Sequence, residues 1–230
     1  MAQKGGPDIP TSGIQLLLDA RNPTTLNASG WNSLVNSFAG TATGATTSGT
    51  GTTLGLTFTS STHKIDFSDI TKLNLTANIT IAAWIYPNSY GGGSSGRIYD
   101  KYKSTFPQSG YAFYIDNNVG SNAIAYSSGY TVSAVTARLN SQITLSTWQH
   151  VAAVHSGTTV TFYKNGASIG SSSSITAPSS ASGISAVVGN NSAGTNNFDG
   201  KISSIRVYSS ALSANEIRKL YDATRSKFGL

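Results

Sequence analysis

Trp148 to Gly170, W-Q-H-V-A-A-V-H-S-G-T-T-V-T-F-Y-K-N-G-A-S-I-G, constrains this chain more than any other stretch. Asn165-Gly166 interrupts an alternating run, and that pair readily supplies the two positive φ angles of a tight type I′ hairpin turn. Before the turn, Val160, Phe162 and Lys164 alternate with Thr161 and Tyr163, the period-2 pattern of a strand with one buried face. Val151, Ala153 and His155 alternate in the same way with Ala152 and Val154. The segment reads as two strands, a turn and a third strand, an antiparallel meander.

Short runs of the same kind recur along the chain. Gly13 to Ala20 gives a buried strand, and Leu54, Leu56 and Phe58 alternate with Gly55 and Thr57. Further strands are expected at 97–101, 110–116, 122–127 and 130–138, with turn residues between them, which indicates a sandwich. The tract Ser37 to Thr53 is so rich in Gly, Thr and Ser that it predicts a surface excursion. One helix is expected near the C-terminus. Ser213 and Glu216 make an S-x-x-E capping box, Leu212 and Ile217 a hydrophobic staple, and Ile217, Leu220 and Tyr221 share one face.

Several segments carry a family resemblance. Trp148 with the H-V-A strand and the aromatic-x-Asn-Gly turn, I-T-I-A-A-W-I-Y-P at 79–87, F-D-G-K-I-S-S-I-R-V-Y at 198–208 and A-L-S-A-N-E-I-R-K-L-Y at 211–221 resemble the laminin-G-like, concanavalin A-like lectin domains. The resemblance implies an all-β, two-sheet antiparallel jelly-roll sandwich with one short C-terminal helix. The opening L-D-A-R-N-P, ahead of Trp31, resembles the laminin-G-like domains of tailed-bacteriophage virion proteins. The organisation expected is an extended N-terminal arm at 1–12, a domain at 13–222 and a basic C-terminal tail at 223–230.

The chain has 230 residues, a net charge of +6 and no cysteine. The last point excludes disulfides, zinc-thiolate sites and thiol nucleophiles. Only 10% of residues are charged, against about 25% in an average globular protein. Few acids rather than many bases raise the pI, and the 15 Lys and Arg are spread out, which argues against nucleic acid as a partner. No segment reaches the length of a membrane span, and the first residues hold no apolar leader.

Chemistry is sparse. Nine acids and three histidines are available, with no metal-ligand spacing among the histidines and no nucleophile elbow or phosphate loop. His150 reads as a satisfied core histidine and His155 as a solvent-facing one. Asp66 and Asp69 are the one close carboxylate pair, and the E-x-D-x-x-E cluster of the fold's glycosidases is absent, so no catalytic residue is assigned. The resemblance implies a calcium ion at the rim, for which Asp199 is the candidate, with Asp19 or Asn190. Ser203 and Ser204 stand where the family often carries acids, so no cofactor is expected. Sugars are recognised by exposed aromatics that stack and amides that hydrogen-bond, which selects Tyr90, Phe106, Asn117, Asn190, Asn191 and Asn196.

The resemblance then implies a non-enzymatic structural protein of a tailed phage: capsid decoration, head fibre or tail-associated. It would display a lectin-like domain toward host glycans, be made in the host cytoplasm and reside in the virion. Its partners would be a major capsid or tail protein, with homo-oligomerisation left open. The alternative is a carbohydrate-binding module of a bacterial surface protein or a glycan-active enzyme.

Overall fold

The computed structural model describes residues 8–27, 30–130 and 133–230. Residues 1–7 of the expected arm, and 131–132 within the run expected at 130–138, lie outside the described residues. In chain order the strands are β1 (Ile14–Asp19), β2 (Leu26–Asn27), β3 (Gly30–Trp31), β4 (Thr41–Thr43), β5 (Thr46–Ser48), β6 (Gly55–Phe58), β7 (Lys64–Asp66), β8 (Ile79–Pro87) and β9 (Arg97–Lys103). They continue with β10 (Ser109–Asp116), β11 (Ala123–Tyr130), β12 (Ser133–Leu139), β13 (Gln149–Ser156), β14 (Thr159–Lys164), β15 (Ala167–Ser172), β16 (Val187–Val188) and β17 (Gly200–Tyr208). Helix α1 (Ala214–Asp222) follows, and Arg225–Phe228 form a closing 3-10 turn.

The strands make two antiparallel sheets. The eight-stranded sheet runs β15-β14-β13-β8-β17-β6-β5. Its strand β17 is shared along one edge: Gly200–Ile202 pair with β6, and Ser204–Tyr208 with β1. The nine-stranded sheet runs β12-β11-β10-β9-β16-β7-β4-β3-β2. Between the sheets lies one core that includes Leu16, Trp31, Phe58, Ile81, Ile85, Tyr99, Tyr111, Phe113, Tyr126, Phe162 and Ile205. The fold is the expected jelly-roll sandwich with its one helix.

Strand β8 shows how sequence selects place. Its Ile79, Ile81, Ala83 and Ile85 face the core, while Thr80, Ala82 and Trp84 on the other face are also buried. A strand covered on both sides needs a near-continuous apolar run, and I-T-I-A-A-W-I supplies one. The same holds for β13, where Val151 to His155 are all buried. One open face was expected there; instead α1 and the residue leading into it cover it, placing Ile217, Leu220 and Leu212 against Ala82, Ala152, Val154, Tyr163 and Tyr208.

The helix is capped as its sequence predicts. Glu216 N donates to Ser213 Oγ at 3.3 Å, and Ser213 N donates to Glu216 Oε2 at 2.8 Å. The hairpin turn has φ +50° at Asn165 and +78° at Gly166. Its placement against α1 adds a second demand: a Cβ on Gly166 would lie 2.9 Å from the Tyr221 ring and 3.0 Å from Arg218 Cδ.

Two local expectations are corrected. The Ser37–Thr53 tract is more than an excursion, because Thr41–Thr43 and Thr46–Ser48 pair as β4 and β5, one in each sheet; backbone pairing carries strands too polar for periodicity to reveal. His155 does not face solvent. It is fully buried, with Nδ1 3.3 Å from Tyr126 Oη and Nε2 3.1 Å from the Gly157 carbonyl oxygen.

Candidate functional site

Three loops meet at one end of the sandwich: 88–96, 117–122 and 190–199. Gly92 N donates to Asn197 O, Arg97 N to Asn196 O and Asn117 N to Ser94 O. Tyr90 Oη donates to Asn122 Oδ1 at 2.8 Å. This end gathers Tyr90, Asn117, Asn190, Asn191, Asn196 and Asp199. Phe106 lies at the opposite end of the seven-residue strand β9, roughly 20 Å away at strand rise. It is 75% exposed.

Most of the gathered amides hold the loop itself. Asn190 is fully buried; its Nδ2 donates to Ser61 O at 2.7 Å and His63 O at 3.2 Å, and its Oδ1 accepts from Asn191 N and Asn196 N. Asn191 Nδ2 donates to Thr195 Oγ1 and Asn196 Oδ1, both at 2.9 Å, while its Oδ1 accepts from Thr195 N. Asn196 Nδ2 donates to Gly92 O at 3.3 Å. Asn117 Oδ1 accepts from Asn122 N at 3.1 Å, and the residue is exposed. Asparagine lattices of this kind fix a loop by satisfying its backbone groups.

The fixed loop forms one wall of a polar groove. About 400 Å³ in volume, it is lined by Thr43, Ser61, Thr62, Lys64, Ser192, Ala193 and Gly194. Asn190, by tying itself to Ser61 and His63, clamps the two walls together. The volume suits a small ligand, and the lining offers hydroxyls and one ammonium. A second cavity of about 410 Å³, lined by Leu26, Ala42, Ala45, Leu56, Thr46 and Thr47, lies where the chain crosses from β4 to β5; its lining mixes aliphatic side chains with two threonines.

Thr43 and Lys64 also belong to the outer face of the nine-stranded sheet, since Ile65 between Lys64 and Asp66 points into the core. Across six strands of that face Asp66, Val187, Asp100, Ala112, Ser127 and Thr136 stand in one row. The adjacent row is Arg97, Tyr114, Ala125 and Arg138. The charges pair among themselves: Lys64 with Asp66 at 3.2 Å, Arg97 with Asp100 at 3.2 Å and Arg138 with Asp116 at 2.6 Å. Arg97 lies 4.0 Å over the Tyr114 ring. Tyr114 Oη, Ser127 Oγ and Thr136 Oγ1 form a hydroxyl chain with steps of 3.0 and 2.8 Å. Burial pushes the Asp100 carboxyl up to about 6, with Arg97 opposing the shift.

A family model described as the concanavalin A-like lectin/glucanases superfamily matches residues 58–218. The chain belongs to that superfamily. Among solved structures, the binding domain of Paraclostridial mosquitocidal protein 1 superposes with a TM-score of 0.68 at 14% identity, over 91% of this chain and 52% of that one. The binding domain of botulinum neurotoxin serotype D/C gives 0.66 at 13%, over 92% and 52%. Domain 4 of AbnA, an extracellular arabinanase from Geobacillus stearothermophilus solved with arabinotriose, gives 0.66 at 16%, over 91% and 98%. The chain spans about half the length of the toxin binding domains it resembles. No curated protein matches by sequence.

Calcium, which the superfamily resemblance implies, finds a poor donor set at Asp199. The Asp199 Oδ2 atom accepts from Ser89 Oγ at 2.6 Å, and its carbonyl oxygen accepts from Asn88 N at 2.8 Å. Asp19 pairs with Ser204, five residues further along β17, and Asn190 has spent its Oδ1 on two backbone amides. Among the described residues no three His, Asp or Glu gather. One carboxylate falls short of the several charged oxygens a calcium site needs.

Sequence reading passed over Asp100, Asp116, Arg97 and Arg138. The signal existed, because in I-Y-D-K-Y and Y-A-F-Y-I-D the acids alternate with aromatics that line the core. Two-sheet alternation places them together on the opposite face.

Proposed function

We propose that this lectin-like jelly roll is a non-enzymatic glycan-binding domain, and that the groove between the 190–197 loop and β4/β7 is where sugar hydroxyls are recognised. The observation that carries the reading is the groove itself: about 400 Å³, lined by Thr43, Ser61, Thr62, Ser192 and Lys64, with its walls clamped by the buried Asn190. Rigid walls present hydroxyls and an ammonium without an ordering cost on binding. The arabinotriose seen with the AbnA domain supports a saccharide as the ligand class.

A glycan array followed by calorimetry tests this. Lys64→Ala and Ser61→Ala are expected to weaken the selected sugar by about tenfold, the worth of one or two hydrogen bonds to a charged or neutral donor. Retained affinity in both variants, or a silent array, overturns it.

The L-D-A-R-N-P opening supports a finer placement, in which the domain is displayed on the particle of a tailed phage, docked to a capsid or tail protein, and turned toward host glycans. Mass spectrometry of purified particles tests that placement, and absence of the chain from them removes it while leaving the glycan reading intact.

A further inference from the structure

The outer face of the eight-stranded sheet has two covers, and they fit differently. Under α1 the face is apolar and closely packed. Under the closing turn 225–228 it is not. There Asp19, Ser204, Trp84 and His150 form one row across β1, β17, β8 and β13, with Arg206 beside them on β17. Trp84, His150, Ser204 and Arg206 are each at most 5% exposed. Yet both ring nitrogens of His150, Ser204 Oγ, Arg206 Nε and Arg21 Nε are buried without a hydrogen-bond partner among the described residues. Native proteins rarely leave so many buried polar atoms unsatisfied in one place.

Tyr221 of α1 covers the His150 end of the row, and Phe228 covers the rest. Phe228 stacks on Trp84 at 3.9 Å with an interplanar angle of 16°, and Arg21 lies 4.7 Å over the Phe228 ring. The rest of the strap is thin. Arg21 Nη2 donates to Lys227 O at 2.6 Å, Lys227 Nζ reaches Asp19 at 3.6 Å, and Arg225, Ser226, Lys227, Gly229 and Leu230 are exposed. Beneath it Asp19, Arg21, Ser204, Arg206 and Lys227 line a narrow cleft with no room for a water molecule.

We propose that residues 225–230 are a displaceable strap over a second ligand site, and that the site takes a ring bearing a carboxylate, as in a uronic acid. Phe228 holds the place of the ligand's ring, between the indole of Trp84 and the guanidinium of Arg21. With Lys227 withdrawn, Arg21 and Arg206 outnumber Asp19, so the opened site is cationic. Arg206 Nε and Ser204 Oγ stand unfilled for an anionic oxygen, which a guanidinium binds strongly in a desolvated setting. The site lies on the opposite sheet from the hydroxyl groove, so it stands or falls separately from the glycan reading above.

The test uses the full chain with Phe228→Ala. With Trp148→Phe added so that Trp84 is the tryptophan the strap uncovers, fluorescence is expected to become quenchable by iodide, with a quenching constant on the order of tenfold that for caesium, because a cationic cleft concentrates anions. Calorimetry with trigalacturonate is expected to show binding that neutral galactotriose lacks, and wild type is expected to bind more weakly, since the closed strap taxes the competent state. Adding Arg206→Gln removes both the iodide preference and the uronate binding. Equal quenching by iodide and caesium, or equal binding of the acidic and neutral sugars, overturns the proposal. If Phe228→Ala fails to fold, Phe228→Leu carries the same measurements; failure of both to fold also overturns it, because the strap is then core.

Discussion

On the outer face of the eight-stranded sheet the strands present Ala82, Ala152, Val154, Tyr163, Tyr208 and Trp84, and a helix and a C-terminal strap lie over them. On the outer face of the nine-stranded sheet they present Asp66, Asp100, Asp116, Arg97, Arg138, Ser127 and Thr136, and the charges pair within the face. Under α1 the first face is apolar and needs a cover, since exposed apolar area of that extent is unfavourable. The second pairs most of its charges side chain to side chain, with Arg97 Nε and Nη1 left buried without a hydrogen-bond partner among the described residues, and is covered by its own long side chains. The scaffold thus covers one outer face with a helix and a strap and leaves the other to its own side chains, with the polar groove at its edge.

Truncations should separate the two faces first. Trp84→Ala removes a fully buried ring stacked on Phe228 and Tyr221 and donating from Nε1 to Thr224 Oγ1 at 2.8 Å, and is expected to cost about 4 kcal/mol. Tyr114→Ala on the other outer face removes a 5% exposed ring packed on Ala112 and Ala125, with the Arg97 contact and one hydroxyl link, about 3 kcal/mol. Urea unfolding of both variants measures the gap. Equal losses would mean that the second face is as much core as the first.

Proton linkage sets the faces against each other. Burial, with a smaller contribution from Arg206, depresses His150 to about 3, against about 6.5 in the unfolded chain. Between those values the unfolded state holds the extra proton, so this group makes stability rise with pH from about 3 to 6.5, by about 1.4 kcal/mol per pH unit. Asp100 is raised to about 6, so the folded state holds its proton between about 4 and 6, and stability falls with rising pH at the same slope. In wild type the two cancel across pH 4–6. His150→Phe should unmask a stability that falls with rising pH, and Asp100→Asn one that rises. Denaturant midpoints at pH 4, 5 and 6 read the slopes, and parallel profiles for the two variants would refute the opposition.

How far these faces were legible in the sequence differs by the same logic. Periodicity found β13, β14 and α1 because apolar spacing records burial, while β8 was read from the family resemblance. It missed that β13 is covered on both sides, since Ala152 and Val154 look like the relieved face of a strand until the helix is placed over them. It missed β4 and β5, because short Thr-rich strands are selected by pairing rather than by hydrophobicity. At the site, the residues read as ligand donors, Asn190, Asn191 and Asn196, proved to spend their amides on loop backbone. Residue type proposes a hydrogen bond, but chain geometry decides with whom it is made. Asp116 escaped notice because its proximity to Arg138 depends on strand register, and Asp100 because it shares a face with Arg97, three residues before it, only through the irregularity in β9, which simple alternation does not encode.

The covered face also depends on how its helix is anchored, at the hairpin and at the cap. Gly166→Ala must adopt φ +78° and meets Tyr221 and Arg218 within 3.0 Å, so a loss of about 2 kcal/mol is expected. Thermal unfolding reads it, and a loss no larger than that of Gly157→Ala, where φ is +59° but nothing lies within 4 Å, would show that docking against α1 adds nothing.

Smallest are the effects at the helix cap and on the second face's surface pair. Ser213→Ala deletes a cap that accepts from Glu216 N and donates to Glu216 Oε2, worth about 1 kcal/mol. Lys64→Ala breaks an ion pair whose partners are about a quarter exposed, worth about 0.5 kcal/mol or less. Chemical denaturation at low and 1 M salt distinguishes them, because salt erases the Lys64 difference and leaves the Ser213 one. Should Lys64→Ala cost more than Ser213→Ala at both salt concentrations, the groove's ammonium is holding the second face together, and its availability to a sugar hydroxyl is lost with it.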